Sequence, residues 1–289
     1  MGGGRRGARA VTARRGGPGL AGFPGAGGAP GHTGAVADGF LDHPRPLAFA
    51  HRGGAGHYPE NSWAAFEHAV GLGYAYLETD ARATSDGQVV AFHDKTLDRV
   101  TDAAGAIAEL PWARVAQARI GGTEPIPLLA DLLASWPDVR FNIDIKALPA
   151  ARPVAEVITR AAAFDRVCLT SFSGARLAAT RRALDRPVCL ATPPGEIGLF
   201  RTGMPAAALG ARLAARGIRC AQVPAAVASA RFVRRAHAAG LQVHVWTVNE
   251  PAVMTRLLDL GADGIMTDQT EALREVLIAR GSWHPRTPA

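Results

Sequence analysis

From residue 46 onward, apolar and polar positions follow two rhythms. Short runs of Val, Ile, Leu and aromatic residues are each followed by a longer stretch whose apolar residues recur every three or four positions. The first rhythm marks buried strands and the second amphipathic helices. The strand runs are "LAFAH" (47–51), "AYLETDA" (75–81), "RFNIDIK" (140–146), "VCLTSF" (167–172), "PVCLAT" (187–192), "RCAQV" (219–223), "QVHVWTV" (242–248) and "DGIMTD" (263–268). Helical stretches cover 61–72, 126–136, 152–163, 174–184, 204–216, 229–239, 250–260 and 270–280. Asn61 or Ser62 can cap the first helix, and Ser229, Glu250 and Thr270 stand at the starts of others. Gly217, Gly240 and Gly261 follow three of them as C-cap glycines do. Eight strand–helix units at this spacing predict an α/β fold, a TIM (β/α)8 barrel, with an open doubly wound sheet as the alternative.

The alternation breaks once. In "TSDGQVVAFHD" (84–94) the Asp86-Gly87 pair signals a turn and a further strand follows. This predicts a hairpin excursion after the second strand, and then loops over 95–125, so that a small insertion spans about 84–125. Residues 1–45 are Gly, Ala, Arg and Pro with no hydrophobic period. They bury too little surface to offset chain entropy and are expected to be disordered. The barrel domain is expected over 46–281, with 282–289 a flexible tail.

The chain has 289 residues, 48% hydrophobic and 20% charged, enough for a sizeable core. It has no apolar run of about 18 residues, so no stable membrane insertion is expected. Cys168, Cys189 and Cys220 lie far apart in strand-like runs and read as buried free thiols, which fits a reducing compartment. The paired arginines near the start resemble an export signal, but "GGPGLAGFPGAGGAP" is too poor in apolar residues for an h-region. A cytoplasmic location is expected, with export the alternative. The net charge of +7 invites a nucleic-acid reading. More than half of the excess lies in the first 46 residues, where six arginines face two aspartates. The remainder is only mildly basic, and no nucleic-acid partner is expected.

In a parallel barrel the active site lies at the C-terminal ends of the strands. His51 and Arg52 close the first strand. Glu78 and Asp80 end the second, two apart and therefore on one face. His93 and Asp94 end the hairpin strand, Asp144 and Lys146 the third barrel strand. Trp246 lies near the end of the seventh, with His244 two residues earlier. A lone strand-end His is ordinarily a hydrogen-bonded structural residue, and a Glu-x-Asp pair a solvated face. Inside a barrel, however, paired carboxylates repel unless a cation or a shared proton relieves them. Glu78, Asp80 and Asp144 offer hard oxygen donors, which suggests one divalent cation, Mg²⁺ or Ca²⁺. Arg52 and Lys146 beside such an ion suit an anionic substrate, with phosphate the obvious candidate. Two histidines flanking a phosphate suit general acid–base cleavage of a phosphodiester.

Five segments, in order over about 47–280, carry a resemblance. His51-Arg52-Gly53 followed by Pro59-Glu60-Asn61-Ser62 resembles the HRG…PEN[ST] signature of glycerophosphodiester phosphodiesterases. "YLETDARATSDGQVVAFHD" resembles the family's E-x-D…HD block, "FNIDIK" its N-I-E-x-K strand, and "VHVWTVNEP" and "GADGIMTD" its last two strands. The resemblance implies a TIM barrel that hydrolyses glycerophosphodiesters to glycerol 3-phosphate and an alcohol. It implies His51 and His93 as the acid–base pair, Glu78, Asp80 and Asp144 as metal ligands, and Arg52 and Lys146 as phosphate ligands. As part of the signature, Glu60 is expected to support the site by holding Arg52. Trp246 either faces the alcohol or glycerol portion or is a core aromatic. His57 and His244 fall outside the matched positions and read as structural. Two positions depart from the pattern. Asp144 stands where the family has Glu, one methylene shorter, and Leu128 in "IPLLADLL" replaces Thr.

The expected partner is a small-molecule phosphodiester. Two rivals remain. One is a phospholipase-type enzyme on the same barrel acting on phosphatidylinositol- or sphingomyelin-like lipids. The other is a barrel that binds a phosphate ligand without turnover. An insertion with no aromatic-rich loop beyond Trp112 favours a soluble, deacylated substrate over a membrane lipid.

Overall fold

Eight of the apolar runs become parallel strands whose two ends meet. The computed structural model describes residues 39–287, with Met1 and Gly2. The chain divides into units Met1–Thr33 and Gly34–Ala289, and the fold lies in the second. Its strands are β1 (Leu47–Ala50), β2 (Tyr76–Ala83), β3 (Val89–Ala91), β4 (Arg119–Ile120), β5 (Glu124–Pro125), β6 (Arg140–Ile145), β7 (Val167–Thr170), β8 (Cys189–Ala191), β9 (Ile218–Pro224), β10 (Gln242–Trp246) and β11 (Gly264–Thr267). The sheet runs β1-β11-β10-β9-β8-β7-β6-β2, and β1 also pairs in parallel with β2. That pairing closes the TIM barrel and disposes of the open sheet. β3 adds antiparallel to the upper part of β2, with Ala81 opposite Ala91.

Local chemistry explains the helix boundaries. The Ser62 hydroxyl accepts the Ala65 N–H at 3.2 Å, and Ser229 caps Phe232 in the same way. Glu250 precedes the helix Pro251–Asp259 without a side-chain cap, and Thr270 is the first residue of its helix rather than the cap. Helix faces pack on the barrel through a continuous cluster that includes Phe66, Leu129, Phe141, Val154, Leu169 and Leu257. A second cluster fills the lower barrel interior with Phe40, Phe49, Tyr76, Cys168, Cys189 and Cys220.

Three expectations about the margins change. Residues 39–45, expected with the disordered tail, belong to the domain: Phe40 is fully buried and its carbonyl accepts the Tyr76 hydroxyl at 2.7 Å. The Arg140 guanidinium holds the Gly39 and Asp42 carbonyls at 3.1 and 2.8 Å. Two adjacent apolar side chains, Phe40 and Leu41, in so short a segment have no periodicity to announce them. The remainder of the expected tail, 3–38, lies outside the described residues. At the other end, 282–287 is docked. Trp283 meets Tyr74 edge-on at 5.2 Å, and Arg286 donates its N–H to the Gly73 carbonyl at 2.8 Å. The insertion is more than loops, since Val90, Phe92, Leu97, Ile107 and Ile120 form a small core of their own.

Candidate active site

The polar ends of β1, β2 and β6, with the residues just after β3, converge on one cleft of about 520 Å³. His51, Arg52, Glu78, Asp80, His93, Asp144, Lys146 and Trp246 all line it. Of the residues expected at the site, only Glu60 stands outside this lining. β6 takes one edge of β2, with Asp80 opposite Asp144. β1 and β3 share the other edge, against Tyr76–Leu77 and Ala81–Ala83.

The chain leaves β1 through a strained turn. Arg52 has φ 52° and Asn61 φ 56°, left-handed values that cost a non-glycine residue free energy and persist where surrounding contacts enforce them. The Arg52 turn aims its backbone N–H at Glu78 Oε2, 2.8 Å away. Gly53 follows at φ 84°, and a Cβ there would meet Ala65 Cβ and Phe66 Cδ1 at 2.9 Å. Only glycine fits so close to the first helix. Asn61 is fixed by the Thr79 hydroxyl at 2.8 Å and donates its amide to Asp80 Oδ2 at 2.9 Å. The Arg52 guanidinium reaches Glu60 at 3.1 Å, and its Nε lies 3.4 Å from Asp80 without hydrogen-bond alignment.

Three carboxylates are buried here. Burial and the neighbouring Asp80 raise the Glu78 pKa from 4.5 to about 7. Burial also opposes ionisation of Asp80, but Lys146 and Arg52 outweigh it and hold that pKa below 3.8. The Lys146 ammonium bridges Asp80 at 2.8 Å and Asp144 at 2.6 Å. Its own burial disfavours the charge, yet the two carboxylates raise its pKa above 10.5. Asp144 is raised above 3.8 despite that contact, because burial prevails and its Oδ1 has no hydrogen-bond partner. A buried carboxylate oxygen without a donor, beside a carboxyl driven toward neutrality, is an electron-rich pocket short of positive charge. Hard oxygen donors of this kind fit a divalent cation. Their ligand atoms are not gathered to within 4.8 Å of one another, a spacing that among the described residues only the three cysteines reach. The Lys146 ammonium stands between Asp80 and Asp144.

Each catalytic candidate histidine is tethered by a carboxylate. His51 Nδ1 lies 2.7 Å from Asp268 Oδ1, and Asn249 donates to the other oxygen of Asp268 at 2.9 Å. His93 Nδ1 lies 2.7 Å from Asp94 Oδ1. Hydrogen bonding from Arg99 leads in holding the Asp94 pKa at about 2, and the hydrogen bonds from His51 and Asn249 keep Asp268 below 3.8 against burial. Both aspartates are ionised at neutral pH, so each Nδ1 donates and each Nε2 is left for chemistry. Burial disfavours the His51 cation, but Glu78 and Asp268 prevail and raise its pKa above 6.5.

Several members of the site were not singled out from sequence. Asp268 directly follows β11 within "GADGIMTD", and the strand-end rule applied to His51 would have found it. Arg99, in the insertion, binds Glu60 at 2.6 Å and also Asp94, and no pattern marks it. Phe172 follows β7 and projects into solvent, 62% exposed, with Trp246 edge-on at 5.6 Å. His57 is exposed and pairs with Glu271 at 3.5 Å, away from the cleft lining. His244 is wholly buried below the cleft. Asn142 and Gln222 exchange amide hydrogen bonds of 2.8 and 3.3 Å across the barrel and form part of the cleft floor.

The glycerophosphoryl diester phosphodiesterase family model matches residues 51–272, which contain every one of these groups. The chain is 44% identical over 260 residues to a Mycobacterium tuberculosis protein named "probable glycerophosphodiester phosphodiesterase 2", covering 86% of this chain and 97% of that protein. It is 30% identical over 270 residues to the human lysophospholipase D GDPD1, covering 79% and 85%. In three dimensions it resembles an Agrobacterium tumefaciens glycerophosphodiester phosphodiesterase at TM-score 0.67 and 20% identity, over 78% of this chain and 98% of that one. An Oleispira antarctica phosphodiesterase solved with the product sn-glycerol-3-phosphate superposes at TM-score 0.68 and 22% identity, over 81% and 97%. The chain therefore belongs to the glycerophosphoryl diester phosphodiesterase family and is an enzyme of it.

Proposed function

We propose that the chain hydrolyses glycerophosphodiesters to glycerol 3-phosphate and an alcohol by two-histidine acid–base catalysis, with one divalent cation, Mg²⁺ or Ca²⁺, held by Glu78, Asp80 and Asp144. The observation that carries this reading is the pair of tethered imidazoles, His51–Asp268 and His93–Asp94, facing one cleft beside buried cationic groups. Arg52 and Lys146 bind and orient the phosphate. His51, whose pKa is raised, suits donation of a proton from Nε2 to the leaving oxygen. His93 suits acceptance of the proton from the attacking nucleophile, with water supplying the oxygen that hydrolysis adds to phosphorus. The cation, when bound, supplies positive charge against the phosphoryl oxygens. Glu60 positions Arg52, and Trp246 lies on the wall that meets the departing alcohol or glycerol.

Release of glycerol 3-phosphate from glycerophosphocholine tests this, with and without Mg²⁺, Ca²⁺ or EDTA. EDTA should abolish release. His51→Ala or His93→Ala should lower kcat about 10²- to 10⁴-fold. Full activity in either variant would sink the acid–base assignment. Asp144→Glu should remain active and bind the cation at least as tightly.

A second reading concerns the alcohol. Phe172, Pro194, Ile197, Val227 and Trp246 give one side of the cleft an apolar wall. The exposed Leu148 stands on the loop after β6. The insertion lacks an apolar rim; the rim arises instead from the loops after β6, β7, β8 and β9 and from the end of β10. This wall favours leaving groups or glycerol substituents with an alkyl portion, including lysophospholipids, the substrate class in the name of the human relative. A ratio of lysophosphatidylcholine to glycerophosphocholine turnover that Phe172→Ala leaves unchanged would remove this reading.

A further inference from the structure

Below the carboxylates, the inward-facing residues of β7, β8 and β9 are thiols. Cys168 pairs directly with Cys189 across β7 and β8, and Cys220 faces Ala191 from β9. All three are fully buried and free. Their sulfurs lie within 4.8 Å of one another, and those of Cys168 and Cys220 are 3.9 Å apart. A disulfide would need about 2.05 Å. A tetrahedral ion with metal–sulfur bonds of ~2.3 Å sets its sulfurs about 3.8 Å apart. An independent observation points the same way. His244 on β10 is wholly buried near Cys220, outside the 4.8 Å spacing that the three sulfurs share; its Nε2 lies 3.1 Å from Gln242 Oε1, and its Nδ1 has no partner. An unpaired polar nitrogen in an apolar interior is costly, and a metal bond would satisfy it.

We propose that Cys168, Cys189 and Cys220 form a buried three-thiolate site for a soft metal ion of the kind represented by Zn²⁺, which His244 closes as fourth donor by turning its unpartnered nitrogen toward the sulfurs when the ion binds, separate from the carboxylate site above it. Three thiolates and an imidazole select such an ion over Mg²⁺ or Ca²⁺. On binding, three S–H bonds break and their protons pass to solvent. Three S–metal bonds and one N–metal bond form, with no change of oxidation state. Four protein donors leave no open position, so the ion is structural and ties four consecutive barrel strands together. Phe40 and Tyr76 cover the site from one end, and the Asn142–Gln222 amide pair stands between it and the cleft. The ion therefore loads as the chain folds.

The test uses the full chain purified without chelators from zinc-containing medium. About one zinc per chain should resist EDTA in the folded protein and be released stoichiometrically by a mercurial thiol reagent. X-ray absorption should show sulfur in the first shell at about 2.3 Å. Glu78→Gln should keep this zinc, whereas Cys189→Ala should lose it. Should the alanine variant fail to fold, the absorption spectrum of wild type still decides. Absence of thiol-releasable zinc, or a shell of oxygen only, would overturn the proposal.

Discussion

Glu78 shows how burial turns a single side chain into a pH-dependent element. Its pKa rises from 4.5 to about 7 on folding, so between those values the folded chain binds more protons than the unfolded chain. Stability must then fall as pH rises across this window, by about 3 kcal/mol if Glu78 acted alone. We expect metal-free protein to melt at progressively lower temperature from pH 4.5 to pH 7, and Glu78→Gln to flatten that slope. Added Mg²⁺ or Ca²⁺ should flatten it too. An identical slope in wild type and variant would show that another group is responsible. Asp268 makes a different prediction. It touches His51 Nδ1, so Asp268→Asn should lower kcat by roughly 10- to 100-fold. It should also move the pH profile to lower pH, since the raised pKa of His51 depends partly on that carboxylate. Equal kcat and an unmoved profile would reduce Asp268 to a packing residue.

At the scale of elements, what could be read from sequence follows from where periodicity exists. Every barrel strand and its following helix came from alternation of apolar runs, because each strand is buried on both sides and each helix on one. His51, Glu78, His93 and Asp144 were legible as polar interruptions at strand ends. Arg99 and Phe40 were not, because each acts through a contact distant in sequence and belongs to no repeating pattern. Phe40 gives the sharper test. Its ring closes the lower barrel against Phe49 and Tyr76. Phe40→Ala should cost about 3–5 kcal/mol in denaturant unfolding while leaving KM unchanged. A loss under 1 kcal/mol would mean that the segment merely rests on the barrel.

Across the whole molecule, charge is distributed against the overall balance. The chain carries +7, yet its cleft concentrates buried carboxylates. Function is decided by that local field and not by net charge. Among the described residues no helix is long and apolar enough to cross a membrane. If the apolar wall of the cleft meets an alkyl chain, as the second reading proposes, Phe172→Ala should lower turnover of lysophosphatidylcholine more than that of glycerophosphocholine.

One arginine sets a limit on how freely this barrel can be rebuilt. Arg99 leaves the insertion to grip Glu60, which holds Arg52, and Asp94, which holds His93. The segment after β3 is thus a brace on two groups of the proposed site, Arg52 and His93, as well as an appendage. A chimera that trades residues 95–125 for the corresponding segment of a relative inherits the alignment of its reactive groups from the graft. Such exchanges should change turnover even where the donor segment never touches substrate, and they should succeed best when the donor brings its own guanidinium to that junction.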